Sequence, residues 1–266
     1  MRGRLPDLYP ASAVTHLEDE TAVAGYTPRV ARFPRTRRAA LVVARWPAGM
    51  GLAGWHYLWR TTPVHRTEES VSDRIDLPEL PARWVDDRLR RSEGGVGPLF
   101  HRRYRTRICG GRMCPEELMA RITRNPNRAS PREVAVFRKT AGAANRMDVG
   151  DEFLIRMPGP WDGPVRVVHR TPRSFRFATL EGHLEAGQIE FRVGSEDGHH
   201  VFEIESWARG GDPLSFLLYD RLRMAKEMQL HMWTHFLERV AQLAGGRMTG
   251  GIDIDTRRHV EGERGR

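Results

Sequence analysis

The chain has 266 residues, of which 39% are hydrophobic, so it can bury the core of one domain and still carry an appendage. Its formal net charge is +9 and its pI about 10.4. Lysine occurs only at Lys139 and Lys226, however, so nearly all of the positive charge is arginine, a skew that genome base composition can produce. The charge alone therefore does not indicate a nucleic-acid partner, and two cysteines in so long a chain exclude a disulfide scaffold.

Residues 1–67 form a basic, aromatic-rich segment that we interpret as an N-terminal extension. Its first ten residues are polar, so we expect no signal peptide and a cytoplasmic location. The apolar stretch over residues 39–59 is interrupted by Arg45 and Pro47, which disfavours a membrane span. Three tryptophans in this segment are Trp46, Trp55 and Trp59. They can lie at the surface of a bilayer, but we favour the alternative that they cover an apolar surface of the folded domain.

Composition divides the rest of the chain into three parts. Residues 68–96 lose hydrophobic periodicity and gather acids, prolines and glycines, which predicts an exposed linker. Residues 97–246 carry the periodic apolar patterns of a folded domain. Residues 247–266 are charged and contain glycine, which predicts a disordered tail.

The domain opens with a strand in which apolar and basic residues alternate. Phe100, Tyr104 and Ile108 share one face with Arg102 and Thr106, while arginines occupy the other face, as in a strand with one solvated side. A short helix is predicted after Pro115, and a period of two then predicts six further strands. These are residues 134–137, 152–157, 165–169, 174–180, 188–193 and 200–207, joined by connectors short enough for an antiparallel meander.

One long helix is predicted over residues 214–243. Its apolar positions follow a single helical stripe that must lie on an apolar surface: Leu218, Leu222, Ala225, Met232, Phe236, Val240 and Leu243. A sheet with one buried face is the available surface. The sequence therefore predicts an α+β domain in which a curved antiparallel sheet packs on a long C-terminal helix.

Two segments carry a resemblance to a known family. FATLEGHLEAGQIEF at residues 177–191 and GDEFLIRMPGPWDGPVRVV upstream of it, together with the final helix, resemble the uncharacterised family catalogued as domain of unknown function nineteen-ninety. The resemblance spans roughly residues 97–245. It implies the helix-grip fold of the START/Bet v 1 superfamily, and it implies no particular reaction.

A cluster of titratable residues on the apolar strands is the candidate catalytic site. His183 with Glu185 or Glu190 has the composition for proton transfer if these side chains line a cavity, whereas a tight loop with His183 or Glu185 bonded to backbone amides is the structural alternative. Glu203 and Glu205 are expected on a solvated outer face. Four apolar residues are the candidate lining of a ligand cavity between sheet and helix: Phe177, Phe202, Met228 and Met232.

Metal and cofactor motifs have little support in the sequence. His231 and His235 share a helix face, but Met232 stands where a metalloprotease motif needs glutamate, and no third ligand is evident. Cys109 and Cys114 lack further ligands with finger-like spacing, so we expect two ordinary thiols. No glycine-rich nucleotide loop is present, and we expect neither a metal nor a cofactor.

Three functional hypotheses follow. The leading one is a binding module for a small apolar or amphipathic ligand in a cavity between sheet and helix. The second is an enzyme of the same fold that uses His183 with Glu185 or Glu190. The third, which the sequence disfavours, is nucleic-acid binding through the basic N-terminal half. The sequence does not set the oligomeric state.

Overall fold

One mixed sheet of nine strands accounts for most of the chain that the structure describes. The computed structural model describes residues 62–72, 75–157, 162–212 and 224–259, all within one compact unit, with side chains from residue 229 onward in the last range. The strands are β1 (Val64–Val71), β2 (Val96–Cys109), β3 (Val136–Ala141), β4 (Glu152–Arg156), β5 (Gly163–Arg170), β6 (Ser174–Thr179), β7 (Glu185–Glu196), β8 (His199–Gly210) and β9 (Arg247–His259). Their order across the sheet is β1-β9-β2-β8-β7-β6-β5-β4-β3.

Strands β3 to β8 form the expected meander, in which each strand pairs antiparallel with the next. Strand β2 pairs antiparallel with β8 and β9, whereas β1 pairs parallel with β9. The expectation of an entirely antiparallel sheet is therefore wrong at this edge. Strand β1 crosses the predicted boundary between extension and linker, and six of its eight residues are exposed, so no apolar alternation marks it.

Strand alternation builds the main core on the inner face of the sheet. On β2, Phe100, Tyr104 and Ile108 are buried on the inner face, while Arg103, Arg105 and Arg107 point to the outer face. Phenylalanines of β6 and β7 meet on the same face, where the rings of Phe175 and Phe191 stack with centroids 4.7 Å apart. The phenylalanine and aliphatic positions of the meander thus form one continuous apolar surface.

Two α-helices cover this surface within the described residues, α1 (Pro115–Arg124) and α2 (Met224–Leu243). Helix α2 buries Phe236, Leu237 and Val240 and contacts β2, β8 and β9. Residues 214–223 of the predicted long helix lie outside the described residues. The helix is followed by β9, so it is not the C-terminal element of the fold.

The predicted disordered tail is wrong over residues 247–259. These residues form β9, which lies between β1 and β2 and buries Ile252 and Ile254 in the main core. Asp253 and Asp255 alternate with the two isoleucines on the opposite face. This period of two drives strand formation, because one face joins the core while the carboxylates stay accessible.

The predicted linker over residues 68–96 is also wrong. Residues 77–93, which we name the strap, pack on the outer face of the sheet, where Leu80, Trp84 and Val85 cover a second apolar cluster. The buried members of that cluster are Leu89, Val168, Ala178 and Leu180. The strap lacks regular periodicity because side chains of the sheet hold its backbone: Gln188 donates to the Pro78 carbonyl at 2.9 Å and Arg166 to the Trp84 carbonyl at 3.0 Å.

Candidate functional site

A cavity of about 80 Å³ lies between the inner face of the sheet and α2, and we name it the sheet–helix cavity. Phe177 and Met232, two of the predicted cavity residues, border it together with Trp233. Its polar border consists mainly of side chains near the start of β7 and the first described side chains of α2. These polar residues are Thr179, His183, Glu185, Ser206 and Gln229, with Asp162 at one end.

His183 lies in the turn that joins β6 to β7, and its ring is held by the backbone that follows it. The Glu185 amide donates to Nδ1 of His183 at 2.9 Å. The Glu185 carbonyl oxygen lies 3.1 Å from the same Nδ1, so the neutral ring can donate to or accept from the Glu185 backbone, depending on its tautomer. Burial lowers the pKa of His183 to about 4, and the charge of Arg90 acts in the same direction. The imidazole at the cavity is therefore neutral near pH 7.

Glu185 begins β7 and faces the same cavity. Its Oε2 accepts a hydrogen bond of 2.7 Å from Nε2 of Gln229 on α2. Burial raises the pKa of the Glu185 carboxyl, while the Arg102 charge and the Gln229 bond oppose that rise. The cavity is thus bordered by the neutral imidazole of His183 and by the carboxyl of Glu185, whose pKa is raised.

Arg102 and Gln229 extend this polar group into a chain that joins β2, α2 and β7. Nη1 of Arg102 donates to Oε1 of Gln229 at 3.3 Å, and Gln229 donates in turn to Glu185. Arg102 is 3% exposed and lies on the apolar face of β2. Sequence reasoning placed this arginine on the inner face without linking it to the cavity, and no sequence signal marks Gln229. The one sequence signal for this polar group was a charged residue, Arg102, among the apolar residues of a strand face.

Glu190 is not part of this group. It lies five residues after Glu185 on β7, so the two side chains point to opposite faces of the sheet. Glu190 instead lies near Arg176 on the outer face, with Oε2 and Nη1 3.7 Å apart. The predicted pairing of His183 with Glu190 is therefore wrong.

The other two predicted cavity residues are Phe202 and Met228. Phe202 is fully buried, but it packs deeper in the core, with its ring centroid 6.2 Å from that of Phe236. The side chain of Met228 lies outside the described residues. Phe202 is thus a core residue, because β8 runs past the cavity and brings Ser206 and Ala208 to it instead.

The outer face of the central strands is a network of paired charges rather than a solvated row of single ones. Glu203 and Glu205 are 9% and 8% exposed, and both accept from Arg192. His101 contacts Oε1 of Glu205 at 2.7 Å. The expectation of solvated glutamates is wrong here, because cross-strand arginines cover them.

The arginines of β2 also have acidic neighbours. Arg105 is paired with Glu196, and Arg103 lies 3.6 Å from Asp255 of β9. These carboxylates reduce the positive charge that the face offers to a nucleic acid.

In the described part of the chain, no cluster of three or more His, Cys, Asp or Glu residues has the arrangement to hold a metal ion. The rings of His231 and His235 are neighbours, with centroids 4.1 Å apart, and His235 lies 3.9 Å from Glu238. Cys109 and Cys114 are both free thiols. No helix among the described residues has the length and apolar character needed to cross a membrane.

Fold and site together define an α+β protein in which a large mixed sheet and a helix enclose a small cavity with a polar end. The chain belongs to the family described as Domain of unknown function (DUF1990), whose model matches residues 79–239. The family resemblance predicted from the sequence is thus confirmed. The match begins inside the strap, which agrees with the strap being part of the domain.

Solved structures show distant similarity. A hypothetical protein from Helicobacter pylori has a TM-score of 0.41 and 9% identity, covering 65% of this chain and 99% of its own. The di-domain ARO/CYC StfQ from the steffimycin biosynthetic pathway has a TM-score of 0.43 and 10% identity, covering 58% of this chain and 52% of its own. Major latex-like protein 151 from Panax ginseng has a TM-score of 0.35 and 15% identity, covering 51% and 99%. No curated protein matches the chain.

Proposed function

We propose that the protein binds a small apolar or amphipathic ligand in the sheet–helix cavity. The observation that carries the proposal is the lining itself, in which Phe177, Met232 and Trp233 form an apolar wall and His183 with Glu185 forms a polar end. Cavities that combine an apolar wall with a few convergent polar groups are typical ligand sites. The polar end would orient the ligand and the apolar wall would supply the burial energy.

The volume restricts the class of ligand. About 80 Å³ is well below the roughly 300–1,000 Å³ of pockets that hold a drug-sized molecule. We infer that one short apolar group enters the cavity and that the polar part of the ligand stays near His183. A neutral imidazole has one donor and one acceptor nitrogen, so His183 can bond a polar group of the ligand.

Native mass spectrometry of the freshly purified protein tests the proposal, and xenon serves as the probe of the empty cavity. We expect a co-purified small molecule, or a xenon site detected by ¹²⁹Xe NMR. Ser206→Leu places extra carbon atoms in the cavity and should remove either signal. Ser195→Leu makes the same chemical change at an exposed position of β7 and should retain it. A signal that survives Ser206→Leu, or the absence of both signals from the wild type, would contradict the proposal.

A second candidate function is proton transfer by His183 and Glu185. Its support is that both groups border one cavity and that burial shifts both pKa values, downward for the imidazole and upward for the carboxyl. A carboxyl that stays protonated can act as an acid, and a neutral imidazole can act as a base. If the bound molecule is a substrate, incubation should change its mass or its deuterium content, and His183→Asn should stop that change while the molecule still binds.

A further inference from the structure

A larger cavity lies on the opposite side of the sheet, beneath the strap. Its volume is about 440 Å³, which falls within the roughly 300–1,000 Å³ of small-molecule sites. It is bounded by the strap on one side and by Gly187 and Gln188 of β7 on the other. We name it the strap cavity, and because it lies on the outer face it does not depend on the proposed use of the sheet–helix cavity.

The lining of the strap cavity combines an apolar wall with a charge-balanced rim. Leu77, Leu80 and Val85 supply partly buried apolar surface. The charged members are two arginines and two glutamates: Arg90, Arg91, Glu79 and Glu93. Since the charges balance, the lining favours an uncharged ligand over an anion or a cation.

Gln188 gives the cavity a specific polar group. Its side chain is 7% exposed, and Nε2 donates to the Pro78 carbonyl at 2.9 Å. That bond fixes the orientation of the amide, because a flipped amide would set Oε1 against the carbonyl oxygen. Oε1 is buried and has no hydrogen-bond partner among the described residues. Buried acceptors are nearly always bonded, so this oxygen calls for a donor that the protein does not provide there.

We propose that the strap cavity binds an uncharged small molecule with an apolar body and an N–H or O–H donor. The donor bonds Oε1 of Gln188, and the body contacts Leu77, Leu80 and Val85. The strap is an integral part of this site, since Pro78 both lines the cavity and holds the Gln188 amide.

Two probes of nearly equal shape test the proposal on the full chain by saturation-transfer NMR titration. Benzamide carries an apolar ring and an N–H donor, and acetophenone replaces the NH₂ group by a methyl group. We expect benzamide to bind about tenfold more tightly than acetophenone, as the gain of one buried hydrogen bond allows. Gln188→Met removes the acceptor at similar side-chain length and should bring the two affinities together.

Variants on the strap locate the binding without disturbing the sheet. Ala82 lines the cavity and is exposed, so Ala82→Trp should block benzamide while the fold is retained. Ala120→Trp makes the same change at an exposed position of α1 and should leave binding unchanged. Ser206→Leu, which fills the sheet–helix cavity, should also leave benzamide binding unchanged, so the two cavities are tested separately. Three results would overturn the proposal: no binding of benzamide, equal affinity for the two probes, or benzamide binding that survives Ala82→Trp. The first two would mean that benzamide makes no hydrogen bond to Gln188, and the third that benzamide binds elsewhere.

Discussion

Gln229 and Glu185 connect α2 to the start of β7, with Nε2 of the amide 2.7 Å from Oε2 of the carboxyl. The amide accepts from Arg102 at its other end, so a carboxyl with a raised pKa is linked through Gln229 to a buried arginine. A buried polar chain of this kind holds side chains in one arrangement, because each member that loses its partner would be left unsatisfied. The polar end of the sheet–helix cavity is therefore positioned by three elements.

Glu185→Gln should gain stability relative to the wild type as pH rises. Burial raises the pKa of Glu185 above its usual 4.5, so the folded state favours the protonated carboxyl. That contribution is fully present below the usual pKa and is lost as pH rises through the raised value. Glutamine has no such loss. Urea denaturation at about pH 4 and about pH 8 measures the unfolding free energy of both proteins, and the variant should gain on the wild type at the higher pH. Exposed Glu181→Gln is the control, and a difference that is constant with pH would contradict the expectation.

His183→Asn should reduce the loss of stability that the wild type shows as the pH falls. The pKa of His183 is lowered from 6.5 to about 4, so the folded state favours the neutral ring. Its contribution is fully present above the usual pKa and is lost as pH falls through the lowered value. The shift corresponds to at most about 3 kcal/mol between pH 6.5 and pH 4. Asparagine keeps an acceptor for the Glu185 amide but does not titrate.

Chemical denaturation across that pH range measures the effect. The wild type and the control His65→Asn, which alters an exposed histidine, should both lose stability more steeply than His183→Asn as the pH falls. Parallel curves for all three proteins would show that His183 is not held neutral by burial.

Strand alternation predicted which residues face the core, and it was most useful where one face is apolar. The apolar residues that β2 and β8 bury on the inner face follow from the sequence for this reason, whereas the burial of Glu203 and Glu205 on the outer face does not. The same rule applied to Glu185 and Glu190 would have separated them, since five residues is an odd number of steps along a strand. In β9, Ile252 and Ile254 carry a two-residue pattern that is too short to outweigh the surrounding glycines and charges.

The strap and the polar chain were beyond sequence reasoning for a different physical reason. The strap is held by long-range bonds from Arg166, Arg176 and Gln188 to its backbone carbonyls, and a carbonyl has no residue-specific signature. Gln229 and Glu185 lie 44 positions apart in the sequence. Their contact depends on how α2 lies across the sheet, and helical periodicity does not fix that placement.

A protein that begins at Gly97 should aggregate. It lacks the strap and β1, so Val168, Ala178 and Leu180 would lose their cover on the outer face. A protein that begins at Thr62 keeps the strap and β1 and should remain monodisperse in size-exclusion chromatography. A soluble, cooperatively unfolding fragment from Gly97 would show that the strap is dispensable for the fold.

A protein that ends at Gly246 should fail to fold. It lacks β9, which separates β1 from β2 and contributes Ile252 and Ile254 to the main core. Its removal would expose the edge of β2 that pairs with β9, and it would detach β1 from the sheet. Circular dichroism and thermal unfolding compare this protein with one that ends at His259, which keeps the whole strand. A native-like melting transition without β9 would show that the sheet closes without it.

Phe236→Ala tests the packing of α2 on the sheet. Phe236 is 1% exposed, and its ring contacts those of Phe191 and Phe202, with centroids 5.4 and 6.2 Å away. Truncation of a buried phenylalanine costs about 3–5 kcal/mol, because transfer energy is lost and a cavity remains. Such a loss would be a large part of the stability of a typical domain.

Arg239→Ala is the matched control on the same helix. Arg239 keeps 38% of its side-chain surface exposed and contacts Glu133 at 3.5 Å. An exposed ion pair contributes little, so this change should alter the free energy of unfolding by no more than about 0.5 kcal/mol. Chemical denaturation of both variants under one set of conditions measures the contrast. Equal, mild effects would mean that α2 does not bury its aromatic face, and the sheet–helix cavity would then lose the helix that closes it.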